Sequence, residues 1–278
     1  MIAPATPFAS ELLSTLSALL LLYAEIHYSF RGIYSRLKTR EPEIIADVPH
    51  RVEPGMPLPI LLLIKDAHRF PIQLKDVIVR VECGRKKTHE VFPLTQAINT
   101  PWWNHVLRCA LPPGFSGPCK VDVSVQYTIR GQHKVAHNDN YVGTSHAPFE
   151  VYVSRWPLPK TAGWCFGEFH SHSDYTSDQV EFGAPLSSTK ELAKALGLRF
   201  FCATDHSYDL DDHADDFLRN DPQLNKWQRF LQEVRELNRD DPDFVIVPGE
   251  EVSAGNHRNR NVHFLILNNS GFLPGDGD

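Results

Sequence analysis

Four short apolar runs in the second half of the chain each end at, or carry, residue types that hold metal ions, and this repetition constrains the fold more than any other feature. The first run closes into FGEFHSHSDYTSD, residues 166 to 178, which sets His170 and His172 two positions apart. In an extended segment residues i and i+2 point to the same side, so both imidazoles can face one ion. RFFCATDH then supplies Asp205 and His206, FVIVPGEE supplies Glu250 and Glu251, and NVHFLIL supplies His263. Imidazole and carboxylate together suit first-row ions such as zinc, manganese or iron. A fold that brings successive strand ends to one place is therefore expected.

Between these runs the pattern is helical. Ser188 with Glu191 three residues on reads as a capping box, Leu192, Ala195 and Leu196 face inward, and Gly197 ends the helix. Asp221 followed by Pro222 reads as the start of a second helix with the stripe Leu224, Trp227, Leu231, Val234 and Leu237. Strands are expected at 164–169, 198–203, 244–247 and 262–267, a β/α succession with its polar residues at or beyond strand carboxyl ends. His263, near the start of its run, departs from that rule. His213 and His257 are spare histidines in polar loops, and the acidic run from Asp209 to Asp216 reads as a solvated loop and helix cap.

In order and spacing, His170, His172, Asp178, the TDH of 204 to 206, the GEE of 249 to 251 and His263 resemble the opening motifs of the PHP family, the polymerase and histidinol phosphatase domain. The likeness covers roughly residues 163 to 267. Glu168 and Phe169 stand where the family usually has Asp-Leu. The resemblance implies a distorted (β/α)7 barrel carrying up to three divalent metal ions, and an enzyme that hydrolyses a phosphate ester of a small-molecule or nucleotide-like substrate. On that carry-over His170, His172 and Glu251 hold one ion, Glu251 bridges to a second held partly by His263, and Asp178 and His206 hold a third. The family's carboxylate stands two residues after the glycine, which selects Glu251 over Glu250, and Asp205 is read as orienting a ligand imidazole. Glu251 and Asp205 are thus the residues expected to serve catalysis. The family's later ligands, another histidine and an Asp-x-His pair, are not in the sequence after His263, so the chain is expected to be a fragment carrying the first part of the barrel.

The preceding segments have other periods. Between residues 8 and 37, Leu12, Leu16, Leu19, Tyr23, Ile26, Phe30, Ile33 and Leu37 form one stripe of an amphipathic helix. Its apolar centre is too short to span a bilayer, which takes about 20 residues. Intramolecular packing, self-association and a membrane surface all remain open for that stripe. From residue 41 to 156 the period drops to two, most clearly where Val121, Val123, Val125, Tyr127 and Ile129 alternate with polar residues, and several short strands with turn signals predict an antiparallel β-sandwich. Its histidines have no ligand spacing. Trp102 and Trp103 either cap the sandwich core or grip a ligand.

The fold class is therefore α+β and multidomain: a helix over 1–40, a sandwich over 41–156 and the PHP-like part over 163–278. A net charge of −6 and only short basic runs give no clear nucleic-acid surface. The five cysteines form no C-x-x-C pair, which reads as a reduced, cytoplasmic protein. The rival function is a binding or regulatory protein whose sandwich recognises a partner beside a structural or inactive metal domain.

Overall fold

The alternation of Val121, Val123, Val125, Tyr127 and Ile129 is realised as a strand whose apolar side chains are all at most 4% exposed. In the computed structural model, which describes residues 40–141, 145–176, 182–213, 216–255, 257–258 and 260–275, this strand is the centre of the larger of two sheets around one core. The expected helix over 8–37 and Asp178 lie outside the described residues. The described residues are mostly strand. Among them no helix is long and apolar enough to cross a membrane.

Nine strands build the first part of the chain: β1 (Glu43–Asp47), β2 (Arg51–Val52), β3 (Leu58–Lys65), β4 (Ile72–Cys83), β5 (Lys86–Ile98), β6 (Trp102–Cys109), β7 (Gly117–Ile129), β8 (Gln132–His137) and β9 (Phe149–Val153). One sheet has the order β1-β3-β6 and the other β2-β9-β7-β4-β5, with β8 also paired to β7. All pairings are antiparallel except β2 with β9. Side chains from both sheets interdigitate in one core, a sandwich arrangement.

Six more strands and three helices follow: β10 (Gly167–Ser171), α1 (Leu186–Leu196), β11 (Phe200–Ala203), α2 (Ser207–Leu210), β12 (Asp212–His213), β13 (Asp216–Asn220), α3 (Asn225–Asp240), β14 (Val245–Gly255) and β15 (Asn261–Leu267). The main sheet has the order β10-β11-β14-β15. Strands β10, β11 and β14 are parallel, and β15 returns antiparallel to β14. The last strand thus closes a hairpin instead of extending the β/α succession. A second core packs Leu186, Phe201, Trp227, Phe230, Val234 and Ile246 between sheet and helices.

Two helix starts differ from expectation. Helix α1 begins two residues before Ser188, behind Pro185, with no side-chain cap, and Glu191 instead binds Arg108 of β6. Asp221 does accept N–H bonds, from Gln223 (2.9 Å) and Asn225 (3.1 Å), but it closes a turn in which Leu224 is left-handed, and α3 starts only at Asn225. At the other end of α1, Gly197 takes φ 95° and caps the helix as expected.

Strand β3, LPILLLIK, does not alternate because it is buried on both faces. Leu58, Ile60, Leu62 and Ile64 enter the sandwich core, while Leu61 and Leu63 lie outside it and are still at most 4% exposed, on the strand against which α1 packs. The contact is fixed by polar bonds. The Glu53 N–H donates to Ala195 O (2.8 Å), the Arg51 guanidinium donates to Leu196 O, and Ser188 Oγ bonds Asn104 Oδ1 (3.1 Å). Sandwich and α/β part belong to one compact unit beginning at Glu41.

The reading of the cysteines as those of a reduced protein is corrected at one pair. Cys83 and Cys119 face each other across β4 and β7 and form a disulfide, leaving Cys109, Cys165 and Cys202 free. Cysteine usage therefore no longer argues for a reducing compartment. Alkylation of the denatured, unreduced protein is expected to label three cysteines, rising to five after reduction; five labels without reductant would contradict the bond.

Candidate metal centre

A carboxylate and four imidazoles meet where β10, β11, β14 and β15 come side by side. Strand β10 carries His170, and its register against β11 shifts between Glu168 and Ser171. His172 follows the strand directly. His206 follows β11 by three residues and forms an isolated parallel bridge with Glu251 of β14. The antiparallel turn of β15 explains the odd position of His263: early in its strand, it pairs with Ser253, two residues beyond Glu251, at the same end of the sheet as the others.

The side chains converge on Glu251. His172 Nε2 lies 2.8 Å from Oε2, and His263 Nδ1 lies 2.8 Å from Oε1. His170 Nε2 and His206 Nδ1 lie 3.4 and 3.5 Å from Oε2. Two overlapping groups result, His170–His172–Glu251 and His206–Glu251–His263, each with its ligand atoms within 4.8 Å of one another. Metal bonds of about 2.0–2.2 Å place tetrahedral ligand atoms roughly 3.3 Å apart, so each group could hold a metal ion. Burial pushes the Glu251 carboxyl up, but hydrogen bonds from His172 and His263 and the neighbouring His206 and His170 outweigh it and hold the group below its usual range.

Two hydroxyls that sequence reasoning missed steady the imidazoles. Thr204 Oγ1 lies 3.3 Å from His170 Nδ1, and Ser253 Oγ lies 3.4 Å from His263 Nε2. Ser253 was legible in principle, since a residue two positions after Glu251 on a strand shares its face. Asp205, expected to orient an imidazole, is fully buried and bonds instead to Ser173 and Thr176. Gly183 lies so close to His172 O that an added Cβ would sit 2.4 Å from it.

Glu250, on the opposite face of β14, is not part of the cluster. It is fully buried, accepts N–H bonds from Asn269 Nδ2 and from Leu273 N (3.2 Å), and is pushed up to about 7 chiefly by burial. In the acidic run Asp209, Asp211 and Asp212 are not solvated, being at most 6% exposed. Asn220 Nδ2 donates to Asp211 (2.7 Å), and Lys226 Nζ lies 3.8 Å from Asp212. His213 and His257 are exposed and outside both groups. The tryptophans divide: Trp103 packs on the sandwich core, while Trp102 meets Phe182 at 5.3 Å beside Lys65. Among the described residues no sandwich histidine joins a metal-like group.

No protein-family description matches this sequence, and no curated protein matches it. Among solved structures, it is similar to the CARDB domain of the PF1109 protein from Pyrococcus furiosus, crystallised in complex with di-metal ions. The two are 14% identical over 44% of this chain and 99% of that one, with a TM-score of 0.21. A likeness this slight implies nothing about what this chain binds.

Because the folded metal-free protein holds the Glu250 proton up to about 7, against 4.5 for the free group, this residue's contribution to stability is fully present below pH 4.5. It is lost as pH rises through 7. Glu250→Gln, which keeps an acceptor for Leu273, is expected to flatten that decline in metal-free melting curves between pH 5 and 8; parallel curves for both proteins would contradict the assignment.

Proposed function

We propose that this protein is a metal-dependent phosphoesterase whose centre is built on Glu251. The observation that carries the reading is the sharing of one carboxylate by two imidazole groups, His170 with His172 and His206 with His263. Two-metal sites of this kind serve in-line displacement at phosphorus. The sequence resemblance to the PHP family supports the same chemistry, with β10, β11 and β14 corresponding to the ligand-bearing strands of a PHP-type barrel.

Divalent ions, when bound, supply Lewis acidity and bring a water's pKa towards neutrality. The chain's own residues do the rest. With one carboxylate among the described ligands, two divalent ions keep a net positive charge, which attracts an anionic phosphate ester. The side chains of His170 and His263 are 46% and 36% exposed and those of Glu251 and His206 are 11% and 7% exposed, so a substrate approaches over the first two. Thr204 and Ser253 hold those two rings against rotation. The sandwich reaches the segment before Gly183 through Lys65, whose Nζ stands 4.2 Å from the Phe182 ring.

Elemental analysis of the purified protein is expected to give up to two equivalents of zinc, manganese or iron held by these groups. His170→Ala with His172→Ala is expected to lose at least one, and Glu251→Gln both. Hydrolysis of an aryl phosphate by the metal-loaded protein is expected to fall more than about 100-fold in either variant, beyond the range of changes to residues behind the ligands. Firm metal retention with no turnover of any phosphate ester would favour the binding or regulatory role instead.

A further inference from the structure

We infer that Asp205 is a positioning residue that fixes His172, His206 and Glu251 in mutual register, touching neither metal nor substrate. The inference rests on the metal centre proposed above and assigns a different role from acid–base catalysis to the most buried carboxylate beside it.

Asp205 has no exposed surface. Its Oδ1 accepts the N–H of Ser173 (2.7 Å) and of Thr176 (3.0 Å), and its Oδ2 accepts the Ser173 hydroxyl (2.8 Å). Both oxygens are engaged in folding the loop that begins one residue after His172. Through its backbone, Asp205 O accepts the N–H of Glu251 (2.9 Å). His206 is its neighbour in the chain. Three ligands, one on β14 and two just beyond β10 and β11, therefore depart from points within one hydrogen bond and one peptide bond of this residue.

The same loop is clamped from its far side. Ser173 bridges Ala184, Gly183 N–H donates to Ser173 O (3.1 Å), and Gly183 presses on His172 O where no side chain would fit. With Gly183 on one side and Asp205 on the other, the backbone of His172 has little freedom, and the direction of its ring is set before any ion arrives.

The two backbone bonds to Oδ1 require an acceptor and not a charge. Asparagine in place of Asp205 retains an Oδ1 for the Ser173 and Thr176 N–H groups and sets an Nδ2 donor against Ser173 Oγ, whereas alanine takes the acceptor from the Ser173 N–H and hydroxyl and leaves the Thr176 N–H only its bond to Ser173 O (3.1 Å). A general base has the opposite requirement, since asparagine cannot take a proton. The two roles thus separate on one substitution.

The test titrates cobalt(II) into the metal-free full chain and into Asp205→Asn, Asp205→Ala and Ser173→Ala. It reads the visible absorption of the bound ion, together with amide hydrogen exchange at residues 173 and 176. The wild-type and Asp205→Asn proteins are expected to share one spectrum. Asp205→Ala is expected to shift the bands, bind cobalt about 10-fold or more weakly and exchange both amides faster, with Ser173→Ala between. An Asp205→Asn spectrum displaced as far as that of Asp205→Ala, or an Asp205→Ala spectrum equal to wild type, overturns the inference. If Asp205→Ala does not fold, Ser173→Ala carries the comparison, and its identity with wild type in both readouts overturns the inference. Absence of cobalt uptake by the wild-type chain overturns the metal centre itself, a failure visible before any variant is compared.

Discussion

A carboxylate removed from water must be compensated, and the α/β part of this protein is arranged around compensating one. The Glu251 carboxylate meets four imidazoles within 3.5 Å, from strands that are far apart in sequence. The parallel run of β10, β11 and β14, the register shift in β10 and the return of β15 each bring one or two of those rings to it. Its neighbour makes the contrast. Glu250 is buried on the other face, where its partners among the described residues are an amide side chain and a backbone N–H, and it holds its proton to about 7. Adjacent residues of one strand thus have opposite electrostatic surroundings, and the alternation of strand faces alone separates them.

Much of this was legible because metal-like clusters and strand ends have short-range signatures. The H-x-H spacing, the residue types after each apolar run and the strict alternation of β7 all translate directly into geometry. What escaped was decided by long-range partners. Glu191 looked like a helix cap, and it binds Arg108 on a strand of the sandwich. The acids from Asp209 to Asp212 looked solvated by composition, and Lys226 and Asn220 meet them inside. Cys83 and Cys119 have no telling spacing, because a cross-strand pair depends on the register of two strands separated by two others.

The role of Asp205 was hidden for a related reason. A carboxylate beside a ligand histidine suggests a bond to that imidazole, but the bonds it makes run to backbone N–H groups of another loop. Hydroxyls take the place beside the rings instead, from Thr204 and Ser253. Sequence patterns name residues that belong to a site more readily than they name which of them touch.

The way α1 ends bears on how such a protein can be inherited and rearranged. Its closing carbonyls are satisfied in part by Arg51 and Glu53, and the strand beneath it is apolar on the side it packs against. A sandwich cut away from the α/β part would leave Leu61 and Leu63 facing water and the helix without its borrowed cap. The two halves are therefore poor candidates for shuffling as separate modules.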